Sequence, residues 1–348
     1  MATEPTRPPE IRSTKRDVPA SVSIPVTVDN FIRAETDKTF ASIYERGGFS
    51  KFEHFRDLAS LDHQIVQRTN RDTLYSVGVF DLDAGAVTIS LPDAGKRFMT
   101  MIAIDEDHYV FTVVYGACTY TFDKEKLGTR YVLAAIRILV DPNDPRDVAQ
   151  VHALQDAVKV RQANPGRFEI PNWDEASRKK VRDALVVLGE TIPDWRGAAG
   201  HRGEVDAVRH LIVTATGWGL NPDRDAIYLN VTPSKNDGST IYTLKVKDVP
   251  VDGFWSISIY SAEGYFVKNA LNAYTLNNVT AKKGADGAVT VQFGGCDGKI
   301  PNCLPIMPGW NYMVRLYRPR AEILNGTWIF PEAQPVSDSK SLPDARVA

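Results

Sequence analysis

The sequence predicts a mainly β protein with helical connections, built as two β-rich domains. Apolar residues recur with period two between 72 and 140 and again beyond 225, and with period 3.6 before and between these stretches. The runs are short and bounded by Gly, Pro or Asp, as strands are. The order is strands, helices, strands rather than strict alternation, which argues against a doubly wound parallel sheet. With 348 residues the chain can bury a core in each half.

The opening "MATEPTRPPEIRSTKRDVPAS" is polar and proline-rich and is expected to belong to a disordered tail over 1–28. "TVDNFIRAETDKTFASIYERGG" then predicts a helix. Asp29 is its N-cap, Phe31, Ile32, Phe40, Ile43 and Tyr44 lie near one face, and Gly47 and Gly48 end it. Tyr75, Val77 and Val79 share a strand face, and Val87, Ile89 and Leu91 alternate with Thr88 and Ser90. "RFMTMIAID", "YVFTVVYGACTYTF" and "RYVLAAIRILV" are nearly continuous apolar runs, expected as central strands covered on both faces.

In "DPNDPRDVAQVHALQDAVKV" Asp144 is the predicted N-cap, Pro145 the first helical residue, and Val148, Val151, Leu154 and Val158 the buried stripe. "WDEASRKKVRDALVVLGETI" and "GEVDAVRHLIVTATGWG" continue the helical pattern. Beyond 225, "TIYTLKVKDV", "GFWSISIYS", "AVTVQF" and "WNYMVRLYRPR" are strands between glycine-rich turns, spaced as in a sandwich or barrel. The expected organisation is an N-terminal β-rich domain over 29–170, a helical connector over 171–222, a C-terminal β domain over 223–335 and a loose tail over 336–348.

Forty-one basic and 43 acidic side chains leave a net charge of -2, without the basic surplus of a nucleic-acid binder. "SRKKVR" at 177–182 has Asp174, Glu175 and Asp183 beside it and is expected to be a solvated helix face. No run of about 18 apolar residues spans a bilayer as a helix. The N-terminus has no apolar signal-peptide core, so the chain as given is expected in the cytoplasm, or in the periplasm or outside the cell if a leader has been removed. Of three cysteines, Cys118 lies in an apolar run and is expected to be buried. Cys296 and Cys303 flank a turn that brings them within bridging reach, as a disulfide or a reduced pair.

The familiar catalytic signatures are absent: no G-x-S-x-G, no P-loop, no dinucleotide fingerprint and no H-E-x-x-H. "GWGLNPDRD" has glycines at the wrong spacing. His54, His63, His108, His152, His201 and His210 are scattered without an H-x-H pair. Neither a metal nor a cofactor is called for.

The candidate site rests on two places. In "QRTNRDTLYSVGVF" Asn70, Arg71 and Asp72 run into a strand. Such residues form turns, yet a carboxylate at the rim of a covered sheet needs a partner. Arg137 shares a strand face with Tyr131, Leu133, Ala135 and Leu139 and must find a carboxylate or stay wet. In the C-terminal half, Trp255, Ile257 and Ile259 form an apolar strand face opposite Ser256, Ser258 and Tyr260. Trp310, Tyr312, Val314 and Leu316 likewise oppose Asn311, Met313, Arg315 and Tyr317. The decorated faces are either solvated or line a concavity, where Tyr260, Arg315 and Tyr317 would suit a carboxylate, phosphate or polyol oxygen.

"NRDTLYSVGVFDL", "RYVLAAIRILVDPNDPRDVAQVHALQDAVKV", "WSISIYSAEGYFV" and "CLPIMPGWNYMVRLYRP" together resemble bacterial proteins that join domain-of-unknown-function family 1254 to family 1214, over roughly 30–332. The resemblance implies two β-rich domains, the second an antiparallel jelly-roll-like sandwich, and no settled reaction. Asn70, Asp72, Thr73, Tyr75 and Ser76 match an N-x-D-T-x-Y-S pattern in which Arg71 replaces a commonly small residue. Tyr260, Trp310, Arg315, Tyr317 and Arg318 fit the second block.

The expectation is a metal-independent hydrolase-like enzyme acting on a small polar or amphipathic molecule in an inter-domain cleft. Asp72 would be its base or orient one, and Asn70, Tyr75, Arg137, Tyr260, Arg315 and Tyr317 would contact substrate. The alternative is a non-catalytic ligand-binding or envelope-associated module using the same residues. The partner expected is a small molecule, with a homo-oligomer allowed.

Overall fold

The structure, a computed structural model, describes residues 22–64 and 67–336. Most of the two predicted tails, residues 1–21 and 337–348, lies outside these. Residues 22–28 are ordered: Ile24 bridges Trp173 and Val26 is buried among helices.

The N-terminal half centres on a five-stranded antiparallel sheet, in the order Glu53–His54, Thr73–Asp81, Tyr131–Leu139, Met99–Asp105 and Val110–Tyr115. Val132, Ala134, Ile136 and Ile138 point to one face, where a three-stranded sheet and the helix Pro145–Asp156 cover them through Val87, Ile89, Phe122 and Val151. Leu133 and Ala135 point to the other, against Phe40 of the helix Phe31–Glu45 and Trp218. Covering on both faces explains the continuous apolar runs at 99–105 and 131–139, buried throughout.

"YVFTVVYGACTYTF" departs from the expected single central strand. It breaks at Gly116, whose φ of 64° is left-handed, into Val110–Tyr115 and Cys118–Phe122 in different sheets. Val110–Tyr115 is an edge strand and mostly half-buried, and Cys118 is half-buried rather than enclosed.

Helix starts follow their side-chain caps. Asp144, Asp174 and Asp206 each accept a backbone N–H of the first turn. The first helix begins after Asn30 rather than Asp29, and Asn30 Oδ1 accepts from Thr27 N at 2.8 Å instead of capping the helix. The helices Glu175–Gly189 and Ala207–Thr216 pack on the first helix through Phe31, Ala34, Leu185, Ile212 and Ala215. Within "SRKKVR" Arg178 is not a solvated residue. It is buried and pairs with Glu35 and Glu175, bolting two helices together.

The C-terminal half is a sandwich of two four-stranded sheets, the strand number and layering of a jelly roll. One sheet runs Thr275–Asn277, Trp255–Tyr260, Asn311–Tyr317, Ala226–Val231. The other runs Cys303–Leu304, Val289–Phe293, Tyr242–Val246, Gln334–Pro335. Pairing is antiparallel except between 289–293 and 303–304. Trp255, Ile257, Trp310, Tyr312, Val314 and Leu316 all face inward against Tyr242, Val291 and Phe293, as their alternation predicted. Cys296 and Cys303 form a disulfide, with Cα atoms 5.6 Å apart. Among the described residues, no helix is long and apolar enough to cross a membrane.

Candidate functional site

The polar faces of the two central sheets meet each other. In the N-terminal sheet, register sets Tyr75 opposite Arg137, Arg137 opposite Thr100, and Thr100 opposite Tyr115, a polar row across four strands. In the C-terminal sheet a second row runs Asn277, Ser256, Arg315, Tyr228. Neither decorated face of the sandwich strands is solvated: Ser256, Ser258, Tyr260 and Arg315 are all 2% exposed or less. The first domain supplies the cover.

Around Arg315 the layer is tightly closed. Its guanidinium donates to Ser258 Oγ at 2.9 Å, Tyr260 Oη at 2.8 Å and the Arg68 carbonyl at 2.6 Å, while Tyr260 Oη donates to the Thr69 carbonyl at 2.9 Å. Asp72 is 1% exposed, and its Oδ1 accepts from Thr275 Oγ1 at 3.1 Å and Asn277 Nδ2 at 3.2 Å. Oδ2 makes no well-formed hydrogen bond, nor does Ser256 Oγ, although Ser256 is near enough to favour the charged carboxylate. Burial pushes the Asp72 carboxyl above its ordinary range, against the opposing pull of Arg315, Ser256, Asn277 and Thr275. These partners belong to the other domain, so Asp72 joins the two halves. Arg71 turns away, bonding the Ala59 carbonyl and lying over the rings of Phe266 and Tyr274.

Around Arg137 the layer is looser. Arg137 donates to Asn221 Oδ1 at 3.3 Å and the Gly219 carbonyl at 3.0 Å, with its guanidinium 5.5 Å from the centre of the Tyr75 ring. Asn70 Nδ2 lies 3.1 Å from Tyr75 Oη and 3.2 Å from both Tyr317 Oη and Thr73 Oγ1, and Asn221 Nδ2 donates to Tyr228 Oη at 2.8 Å. Tyr75, Tyr228 and Asn70 are only half-buried. Tyr75 therefore keeps part of its surface accessible beside the Arg137 guanidinium.

The charge balance is unusual. Arg137 was expected to find a carboxylate or stay wet; among the described residues neither Arg137 nor Arg315 has a carboxylate within 4.0 Å. Arg315 has Asp72 at longer range. Arg137, 8% exposed, has three tyrosines, Tyr75, Tyr228 and Tyr317, as its electrostatic neighbours. Burial alone would raise the Tyr75 phenol, but Arg137 and hydrogen bonds from Thr73 and Asn70 outweigh it and hold the group below its ordinary value. Tyr317 goes the other way, pushed well up by burial and by Tyr228 and Tyr75.

A separate groove of about 660 Å³ opens along the same interface, lined by Lys96, Arg97, Phe98, Tyr115, Phe254 and Arg318 among others. Neither Asp72, Tyr75, Arg137 nor Arg315 lines it. Phe98, Phe254 and Tyr317 stand between, with the Phe254 and Tyr317 rings stacked at 4.4 Å.

Gly219, Asn221, Tyr228, Thr275 and Asn277 were not singled out from the sequence. Tyr228 shares a strand face with Asn230 and so carried a signal; Gly219 and Asn221 sit in the "GWGLNPDRD" loop. Gly219 has a φ of 81°, a conformation open to glycine, and room for a methyl group, with Ile104 at 3.8 Å. Gly219→Ala is therefore expected to cost about 1–2 kcal/mol through backbone strain alone, read as a lowered urea midpoint. Because the same residue presents its carbonyl to Arg137 and its N–H to His108, it also loosens the Arg137 seat.

Two family models match the chain, both described as proteins of unknown function: DUF1254 over residues 49–124 and DUF1214 over residues 227–321. No curated protein matches it. Among solved structures it is similar to the VPA0106 protein of Vibrio parahaemolyticus, 19% identical, with a TM-score of 0.67 over 89% of this chain and 99% of that one. It is also similar to a putative uncharacterized protein from Burkholderia cenocepacia, 10% identical, with a TM-score of 0.52 over 88% and 86%. At these identities the likeness concerns the fold.

Proposed function

We propose that the protein binds a small anionic molecule, a carboxylate first of all, where its two β-rich halves meet, with Arg137 as the anchoring charge. One observation carries this reading: a guanidinium buried at the domain interface without a carboxylate partner among the described residues. Burying an unpaired charge is costly unless something compensates it. Asn221 and the Gly219 carbonyl use part of the five-donor fork, which leaves N–H groups for the two oxygens of a carboxylate. Asn70, Tyr75, Tyr228 and Tyr317 add polar groups suited to orienting the rest of the ligand, on apolar ring walls.

The reading is non-catalytic as it stands and favours the ligand-binding alternative over hydrolysis by Asp72, whose carboxylate already serves Thr275 and Asn277. Thermal denaturation with a panel of small carboxylates, phosphate and sulfate tests it. A carboxylate present at 100 times its Kd is expected to add about 2.7 kcal/mol of stability. Arg137→Met should abolish that gain, and Arg137→Lys should keep only part, because an ammonium cannot form the bidentate fork. The absence of a shift with every anion would overturn the proposal.

A further inference from the structure

Tyr75 occupies an unusual position. Across the strand pair stands Arg137, with its guanidinium 5.5 Å from the ring. On its own strand side Asn70 Nδ2 lies 3.1 Å from the phenolic oxygen, and the same amide nitrogen lies 3.2 Å from Tyr317 Oη. From the other domain Tyr317, Tyr228 and, further off, Arg315 complete the charged and titratable surroundings. Among the described residues no carboxylate lies within 4.0 Å of the Arg137 guanidinium. A phenol that accepts a hydrogen bond beside a buried cation, with part of its own surface accessible, is placed to exchange a proton with a molecule held on that cation.

We infer that Tyr75 is the proton-transfer residue of this site, its phenolate oxygen taking a proton from a weakly acidic C–H or O–H of an anion held on Arg137 and returning it later in the cycle. This rests on the ligand site proposed above and assigns chemistry to it. The step balances without an oxidant or reductant. The ligand's X–H bond breaks, an O–H bond forms on Tyr75, and the electron pair stays on the ligand beside Arg137, whose charge stabilises it. The opposed shifts of the two phenols bridged by Asn70, Tyr75 downward and Tyr317 upward, support separate roles for them, as in paired acid–base groups elsewhere.

Two measurements test the assignment on the full-length chain. In a spectrophotometric pH titration of tyrosinate, the wild type is expected to show a transition at lower pH than its other tyrosines. Tyr75→Phe, which keeps the ring, should delete it; Arg137→Met should move it upward by about one pH unit or more; and Tyr317→Phe should retain it. In the second, each carboxylate that raises the melting temperature is incubated in deuterated water and its exchange of carbon-bound hydrogen followed by NMR. Exchange, measured at saturating carboxylate so that any change in affinity drops out, is expected with the wild type and should fall at least a hundredfold with Tyr75→Phe.

Superimposable titrations of wild type and Tyr75→Phe, or equal exchange by both, overturn the inference while leaving the binding proposal standing. If no anion stabilises the wild type, the binding proposal fails, and the titration alone still decides whether Tyr75 ionises early.

Discussion

Arg315→Met is expected to lower the stability of the folded protein by about 3–5 kcal/mol, the largest loss among substitutions in the polar layer. Methionine keeps much of the bulk but removes every donor. Ser258 Oγ, Tyr260 Oη and the Arg68 carbonyl each lose a charged donor, Ser258 keeping only Thr275 Oγ1 and Tyr260 only the Thr69 carbonyl, and Asp72 loses the positive charge that opposes its desolvation. All four groups stay buried or half-buried, so water cannot replace what is lost. Urea unfolding reads the effect as a shift in midpoint, and Arg146→Met, on a side chain 88% exposed, is the control expected to stay within about 0.5 kcal/mol. Adding Asp72→Asn to Arg315→Met should recover part of the loss, because a neutral amide no longer needs the cation; strict additivity would mean that the two groups are not coupled.

The second large effect is one of pH. Burial pushes the Asp37 carboxyl up to about 6; Trp173, whose Nε1 donates to Oδ2 at 2.8 Å, opposes the shift, and nearby Glu106 adds to it. Asp105 is likewise raised to about 6 by burial, against backbone hydrogen bonds from Tyr109 and Asp107. The folded protein thus holds protons that the unfolded chain, with carboxyl groups near 3.9, has released. Stability from these two groups is fully present below about pH 4 and is lost as pH rises through about 6. Asp37→Asn removes the charge but keeps an oxygen for Trp173. It is expected to raise stability at pH 7 by on the order of 1–3 kcal/mol and to leave it unchanged below about pH 4. Denaturant titrations at pH 4, 5, 6 and 7 check this, and an equal gain at every pH would contradict it.

Legibility differed between the fold and the site. Strand faces in the C-terminal half could be read residue by residue, because alternation of Trp255, Ile257 and Ile259 with Ser256, Ser258 and Tyr260 follows directly from the pleat. Asp144 announced its helix by cap chemistry, Asp174 and Asp206 cap theirs the same way without having been read as caps, and Asp29 and Asn30 are both acceptable caps between which neighbouring sequence could not choose. Arg178 looked solvated because its partner Glu35 lies on a helix 143 residues away. Arg137 stood out as a charge in apolar company that needs a carboxylate or water, and the structure provides amide, carbonyl and ring partners.

By itself the sequence determined the class of protein, its two β-rich halves and which side of the C-terminal central strands is polar, since period and turn chemistry are local properties. Only the tertiary structure decided that the two polar faces meet each other rather than water, that Asp72 bonds across the domain boundary, and that Tyr75 shares its environment with Arg137 and Tyr317. Those outcomes depend on register and docking between segments more than 200 residues apart in the case of Asp72 with Thr275 and Asn277. Nothing in either segment alone specifies them, because the free energy that selects the arrangement comes from burying both faces together.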